Sequence, residues 1–235
     1  MSYKDFDLIK LITRIEGELI NESPLRIGVG KEPPLSAPVD IAVYRVNGKP
    51  CIPGSSLKGV FRSLVESIAA SKGIHVHSPW DEEEIKQEVK NRSFCPLCGI
   101  FGSTELASHV RIYDAYPKDD SACTFTKTGV SIDREFGAVR PELLFTEELV
   151  VPNVVWSFRI DVLNIRFLPE PNDEDPRAGL LKSLLDYLLK IGINIGARKS
   201  VGSGLMKLRQ AMWFTYSLEG GEVKKISEGS LEMSK

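Results

Sequence analysis

Residues 154–168 read VVWSFRIDVLNIRFL, and residues 178–190 read AGLLKSLLDYLLK. The first is the clearest strand pattern in the chain, dominated by β-branched and aromatic residues. The second places leucine at Leu180, Leu181, Leu184, Leu185, Leu188 and Leu189, the spacing of a helix with one apolar face. Pro169–Pro176, rich in proline and acids, is the loop between them. After the helix comes a glycine-rich loop, IGINIGARKSVGSG (191–204), and then a final strand at Leu205–Leu218. The C-terminal half therefore reads strand, helix, strand.

The N-terminal half repeats that order. Residues 8–20, LIKLITRIEGELI, form a strand that breaks at Asn21–Pro24, and RIGVGKEPPLSAPVD is loop. The Asn47-Gly48 pair marks a short hairpin. PGSSLKG (53–59) then opens a helix with apolar residues at Val60, Phe61, Leu64, Val65 and Ile68. Ser55 or Ser56 is its expected cap and Gly73 its stop. SHVRIYDAY (108–116) is the next strand. Residues 74–104 read as an insertion with an acidic helix at Asp81–Lys90. Residues 117–153 read as a second, turn-rich insertion with a hairpin around Ile132–Val139. The whole predicts an α+β domain of βαββαβ order, ferredoxin-like or RRM-like, over residues 1–218, with a polar, frayed tail at 219–235.

The 235 residues suit one large domain, and 42% hydrophobic against 26% charged residues is ordinary for a globular protein. No window of about 18 apolar residues offers a membrane span. The N-terminus MSYKDFDLIK lacks an apolar signal core, so the expected compartment is a reducing cytoplasm, with its four cysteines free or metal-bound. A net charge of −2 excludes a globally basic nucleic-acid binder but not a local one. Arg45, Lys49, Lys58 and Arg62 lie in one stretch without acids, and Lys190, Arg198, Lys199, Lys207 and Arg209 in another. The acids collect in Asp81–Glu88 and Glu170–Asp175.

Both basic stretches contain turns suited to phosphate. In PGSSLKG, Ser55, Ser56 and Lys58 stand at a helix start, where free backbone N–H groups attract anions. In GARKSVGSG, glycines let the main chain approach a phosphodiester, and Arg198, Lys199 and Ser200 supply donors. Cys95 and Cys98 form a CxxC downstream of His75 and His77, a donor set that suits a tetrahedral, structural zinc ion. Cys51 reads as core, Cys123 as a candidate substitute ligand, and His109 as a structural residue. Phe101, Trp156, Phe158 and Trp213 read as core packing.

In order, the chain carries RIGVG, Asp40, PGSSLKG, CPLCGIFGS, GVSIDREFGAV and GARKSVGSG. This ordered set resembles the RAMP superfamily of CRISPR-associated RNA-binding proteins, and within it the backbone subunit of type III CRISPR effector complexes. The resemblance spans about residues 8–215. It implies a subunit that stacks with copies of itself along a CRISPR RNA beside other effector subunits. A protruding hairpin, here GVSIDREFGAV with Arg134, Ile132 and Phe136, would disrupt the guide–target duplex at intervals. Asp40 falls at the family's catalytic aspartate, which cleaves target RNA with Mg²⁺ or Mn²⁺. Lys58, Arg62, Arg198, Lys199 and Ser200, helped by Arg45, would grip the guide. The resemblance also supports zinc in the 74–104 insertion. Three rivals stand beside this reading. They are a non-catalytic scaffold of the same fold, a metal-independent endoribonuclease that matures CRISPR RNA precursors through histidine, and a zinc-stapled RRM-like binder outside any CRISPR system.

Overall fold

The computed structural model describes residues 3, 5–28, 39–119, 122–137 and 139–232. In chain order the elements are β1 (Leu11–Asn21), β2 (Arg45–Val46), β3 (Lys49–Pro50), α1 (Gly54–Ser71), α2 (Glu82–Asn91), α3 (Pro96–Phe101), β4 (Val110–Ile112), β5 (Thr124–Ile132), β6 (Val139–Val150), β7 (Val155–Leu163), α4 (Pro176–Lys190), β8 (Ile193–Asn194), a 3₁₀ turn at Lys199–Val201, β9 (Leu205–Glu219) and β10 (Glu222–Leu231).

One antiparallel sheet runs β10-β9-β1-β7-β4, with β8 paired to β9. The path β1–α1–β4–β7–α4–β9 is βαββαβ, the connectivity of ferredoxin-like domains. Its register is set by one apolar face. Ile15 stands between Ile160 of β7 and Trp213 of β9, and Leu19 opposite Trp156. These side chains are buried with Phe61 and Val65 of α1 and the six leucines of α4 in a single core. Each such burial contributes about 1.5–3 kcal/mol before chain entropy is subtracted. Phe101, Phe158 and Cys51 are buried too. The opposite face is polar. There Arg14 bonds Asp161 at 2.9 Å, and Glu16 stands opposite Arg159.

Four details depart from the sequence reading. Neither Ser55 nor Ser56 caps α1. The cap position is Pro53, no side chain accepts there, and both serines lie inside the first turn. The second insertion holds far more strand than its polar sequence suggests, since β5 and β6 pair from Thr124–Val150 to Ile132–Val139. The strand read at 108–116 is only three residues long. Finally, Glu222–Leu231, read as part of a frayed tail, form β10 against β9. Asn47 and Gly48 both take positive φ, 50° and 79°, as a tight hairpin turn requires. No helix among the described residues is long and apolar enough to cross a membrane.

Candidate functional site

The glycine-rich loop and the segment that leads into PGSSLKG belong to one strip of hydrogen-bonded backbone. Ala197 N donates to Arg26 O (3.0 Å), Tyr44 N to Ile27 O (2.8 Å) and Cys51 N to Tyr44 O (3.0 Å). Three steps of ~4.8 Å put the glycine-rich loop roughly 15 Å from the segment that leads into PGSSLKG. Gly196 makes the first step close. It has φ +83°, and a Cβ there would collide with Arg26 O. The early loop's residues 29–38 lie outside the described residues.

The foot of β6 supports this strip through three consecutive side chains. Thr146 donates from its N (2.6 Å) and Oγ1 (2.9 Å) to Asp40 Oδ2. Those bonds hold the exposed Asp40 carboxyl below its ordinary range, so it is ionised at neutral pH. Glu147, pointing the other way along the strand, is fully buried and bridges Arg26 (2.7 Å) and Arg198 (2.7 Å). Arg198 sits in the left-handed region at φ 59°, over the ring of Phe145. Glu148 takes Arg45 with both oxygens, one bond being 2.8 Å, and accepts from Thr124 Oγ1 and Val43 N. Its carboxyl is drawn down to about 2, chiefly by Arg45.

Two of the arginines expected on RNA are thus already paired with carboxylates about a hundred residues or fifty residues away in sequence. Sequence reasoning missed Thr146, Glu147, Glu148 and Arg26, and no local signal marks them. Lys199 and Ser200 are exposed. At the other turn, Ser55 is exposed and Ser56 half-buried, and α1 begins with no acid in its first turn. Gly54 N donates to Asp114 Oδ1 at 2.8 Å. Lys58 is half-buried, and burial together with Arg62 one turn on lowers its pKa. The helix end already holds the Asp114 carboxylate, which leaves Lys58 as the cation of this turn that suits a further anion. Arg62 turns elsewhere, toward Gly102 O (2.7 Å) and Cys98 Sγ (3.7 Å).

The β5–β6 hairpin exposes Val130, Ile132 (65%), Phe136 (80%) and Leu144, with Arg134 also exposed at its turn. An isolated two-stranded hairpin is marginal in water, and apolar residues at its tip suit a partner.

In the 74–104 insertion, His77, Glu88, Cys95 and Cys98 bring their ligand atoms within 4.8 Å of one another. His75 is not among them. Its side chain is 76% exposed and faces Glu84 at 3.7 Å, so Glu88 of α2 takes the place expected for it. Cys123 is exposed and outside the group. His77 Nδ1 bonds Ser78 O (2.9 Å), which leaves Nε2 toward Cys98 Sγ (3.6 Å) and Glu88 Oε1 (2.8 Å). Glu88 Oε2 is buried with no hydrogen-bond partner. The hydrogen bond from Cys98 holds the Cys95 thiol below its ordinary range. Two sulfurs, an imidazole nitrogen and an orphaned carboxylate oxygen are the donors of a tetrahedral zinc site, so the residues fit that ion. Of the remaining histidines, His109 is buried against Asp5.

No curated protein matches the chain by sequence. Among solved structures, a chain of the Type III-B Cmr-beta bound to cognate target RNA, determined by cryo-EM, shares the fold. The TM-score is 0.53 at 21% identity, over 91% of this chain and 61% of that one. This chain therefore spans about three-fifths of that chain's length. The family model of the RAMP superfamily matches residues 18–207, from within β1 into β9, which takes in the strip, the hairpin and the cysteine pair. On that match the chain belongs to the RAMP superfamily.

Proposed function

We propose that this chain binds CRISPR RNA as a backbone subunit of a type III effector complex, and that it cleaves paired target RNA through Asp40. The observation that carries the reading is the strip itself. One run of backbone bonds leads from the glycine-rich loop to Cys51, two residues before PGSSLKG, and Thr146 fastens Asp40 to the same support. Lys58 with Ser55 and Ser56 at one turn, and Lys199 with Ser200 at the other, contact phosphates of one strand. Arg45 and Arg198 join only by exchanging Glu148 and Glu147 for phosphate. Backbone contacts of this kind make binding salt-sensitive and largely independent of guide sequence. The hairpin tip, with Arg134, Ile132 and Phe136, lies beside splayed bases. Further copies of the chain and other type III subunits are its partners, in the cytoplasm. The target RNA bound by the structural relative agrees with this reading.

Asp40 would hold a Mg²⁺ or Mn²⁺ ion, with RNA phosphates and waters as the other ligands, and the ion supplies charge stabilisation at the scissile phosphate. A structural Zn²⁺ would be held by His77, Glu88, Cys95 and Cys98.

One observation favours a second reading, a scaffold without nuclease activity: Asp40 already anchors the strip by accepting two bonds from Thr146. Asp40→Asn separates the two. Its carbonyl oxygen keeps a bond from Thr146 while the charge that holds the metal is lost. The assembled complex carrying Asp40→Asn should bind target RNA as wild type does and leave it intact at the regular sites. Undiminished periodic cutting would refute the assignment of catalysis to Asp40, whereas a wild-type complex that binds the target and leaves it intact would favour the scaffold. A histidine-based endoribonuclease is the weaker rival, because His77 and His109 are both buried and the exposed His75 faces Glu84, away from the strip's residues.

A further inference from the structure

Arg62 leaves the α1 surface and ends on the cysteine cluster. Its Nη1 donates to Gly102 O, the residue that ends α3, and its Nη2 to Cys98 Sγ inside α3. The charge of the cluster gives the reason. Two thiolates and one carboxylate around a divalent ion, with a neutral imidazole, leave one net negative charge. That charge would lie in an apolar pocket, where Cys98 packs with Tyr3, Phe94 and Leu106. A buried charge without a partner is costly. The other nearby arginine, Arg177, lies over the Tyr3 ring but bonds Asp175 (2.8 Å) and pairs with Asp5 (3.7 Å).

We propose that Arg62 is the counter-charge of a metal centre formed by His77, Glu88, Cys95 and Cys98, and that it positions the Cys98 sulfur instead of gripping RNA. The inference rests on the zinc reading above. It explains why α1 and the insertion are tied by an arginine. It also leaves Lys58, four residues earlier on the same helix face, as the cation offered to phosphate at the helix start.

The test uses the full chain and three measurements. Zinc affinity is read by competition with a chromophoric chelator. Co²⁺ is substituted and its thiolate-to-metal charge-transfer band recorded. Affinity for a fluorescein-labelled single-stranded RNA is measured on metal-loaded protein. Arg62→Gln should bind zinc about 10–100-fold more weakly, with a shifted Co²⁺ band, while RNA affinity stays near that of wild type. Arg62→Lys keeps the charge and loses the fork, so zinc affinity should recover most of that loss while the Co²⁺ band still moves.

Wild-type zinc affinity and an unmoved Co²⁺ band in both variants, with RNA binding weakened, would return Arg62 to the RNA and overturn the proposal. If Arg62→Gln does not fold, Arg62→Lys decides by the band alone: an unmoved band overturns the sulfur contact. A wild-type chain that takes up neither zinc nor cobalt refutes the metal reading itself, which is a different result from a metal site indifferent to Arg62.

Discussion

Replacing Glu147 with glutamine removes the one charge that two arginines share inside the protein. Glu147 is fully buried, and the side chains of Arg26 and Arg198 are 14% and 30% exposed. Removing one partner of a buried pair costs about 3–5 kcal/mol, because the other charge is left without compensation. Arg198 regains part of its hydration and lies over Phe145, so it adds little. Arg26 cannot, and the expected loss is therefore near the lower bound, about 3 kcal/mol. For a chain of this size each kcal/mol lowers Tm by roughly 2–4 °C, which predicts a fall of roughly 6–12 °C. The assay is thermal unfolding followed by far-ultraviolet circular dichroism at fixed salt. Glu135→Gln, on the exposed hairpin turn, serves as a control that should move Tm by no more than about 2 °C. Arg26→Met combined with Glu147→Gln should lose less than the two single changes together, since neither group is then stranded. A Tm for Glu147→Gln within about 2 °C of wild type would refute the reasoning, and with it the view that β6 organises the strip.

Two further outcomes follow from the same region. Glu148 titrates near 2, so its pairing with Arg45 stabilises fully above the ordinary glutamate value of 4.5 and is lost as pH falls toward 2. With Arg45 about one-third exposed, screening limits this to about 1 kcal/mol. Glu148→Gln should therefore flatten the acid side of the stability–pH curve between those values, and a curve parallel to wild type there would contradict the pairing. Gly196→Ala places a Cβ against Arg26 O at φ +83°, so it should cost more than about 1 kcal/mol in urea unfolding and weaken RNA binding as the loop shifts. Wild-type stability in that variant would show that the loop is not held against residues 26–28.

Much of the fold was legible along the chain because its core elements bury one face. β1, β7, β9, α1 and α4 all show the period of the face they bury, and the βαββαβ order follows from placing them in line. The Asn47-Gly48 turn, the Gly73 stop and the cysteine pair are likewise local chemistry. What escaped was held by contacts that leave no period. β10 is a polar strand fixed by its backbone ladder to β9, so its side chains carry no alternation to read. The β5–β6 hairpin meets the core only at its foot, where Leu149 and Val150 are buried, and farther out Val130, Ile132 and Leu144 are exposed. Glu88 sits in an acidic helix that reads as solvated, and only the folding of α2 over the cysteines turns its carboxylate inward in place of His75. The basic stretches gave the same lesson in reverse. Arg45 and Arg198 lie in stretches that hold no acid, yet β6 delivers Glu148 and Glu147 to them across 103 and 51 residues. A sequence records which charges exist and which face of an element is apolar. Which charges meet is decided by strand pairing over long separations, and that pairing is set by the packed core as a whole.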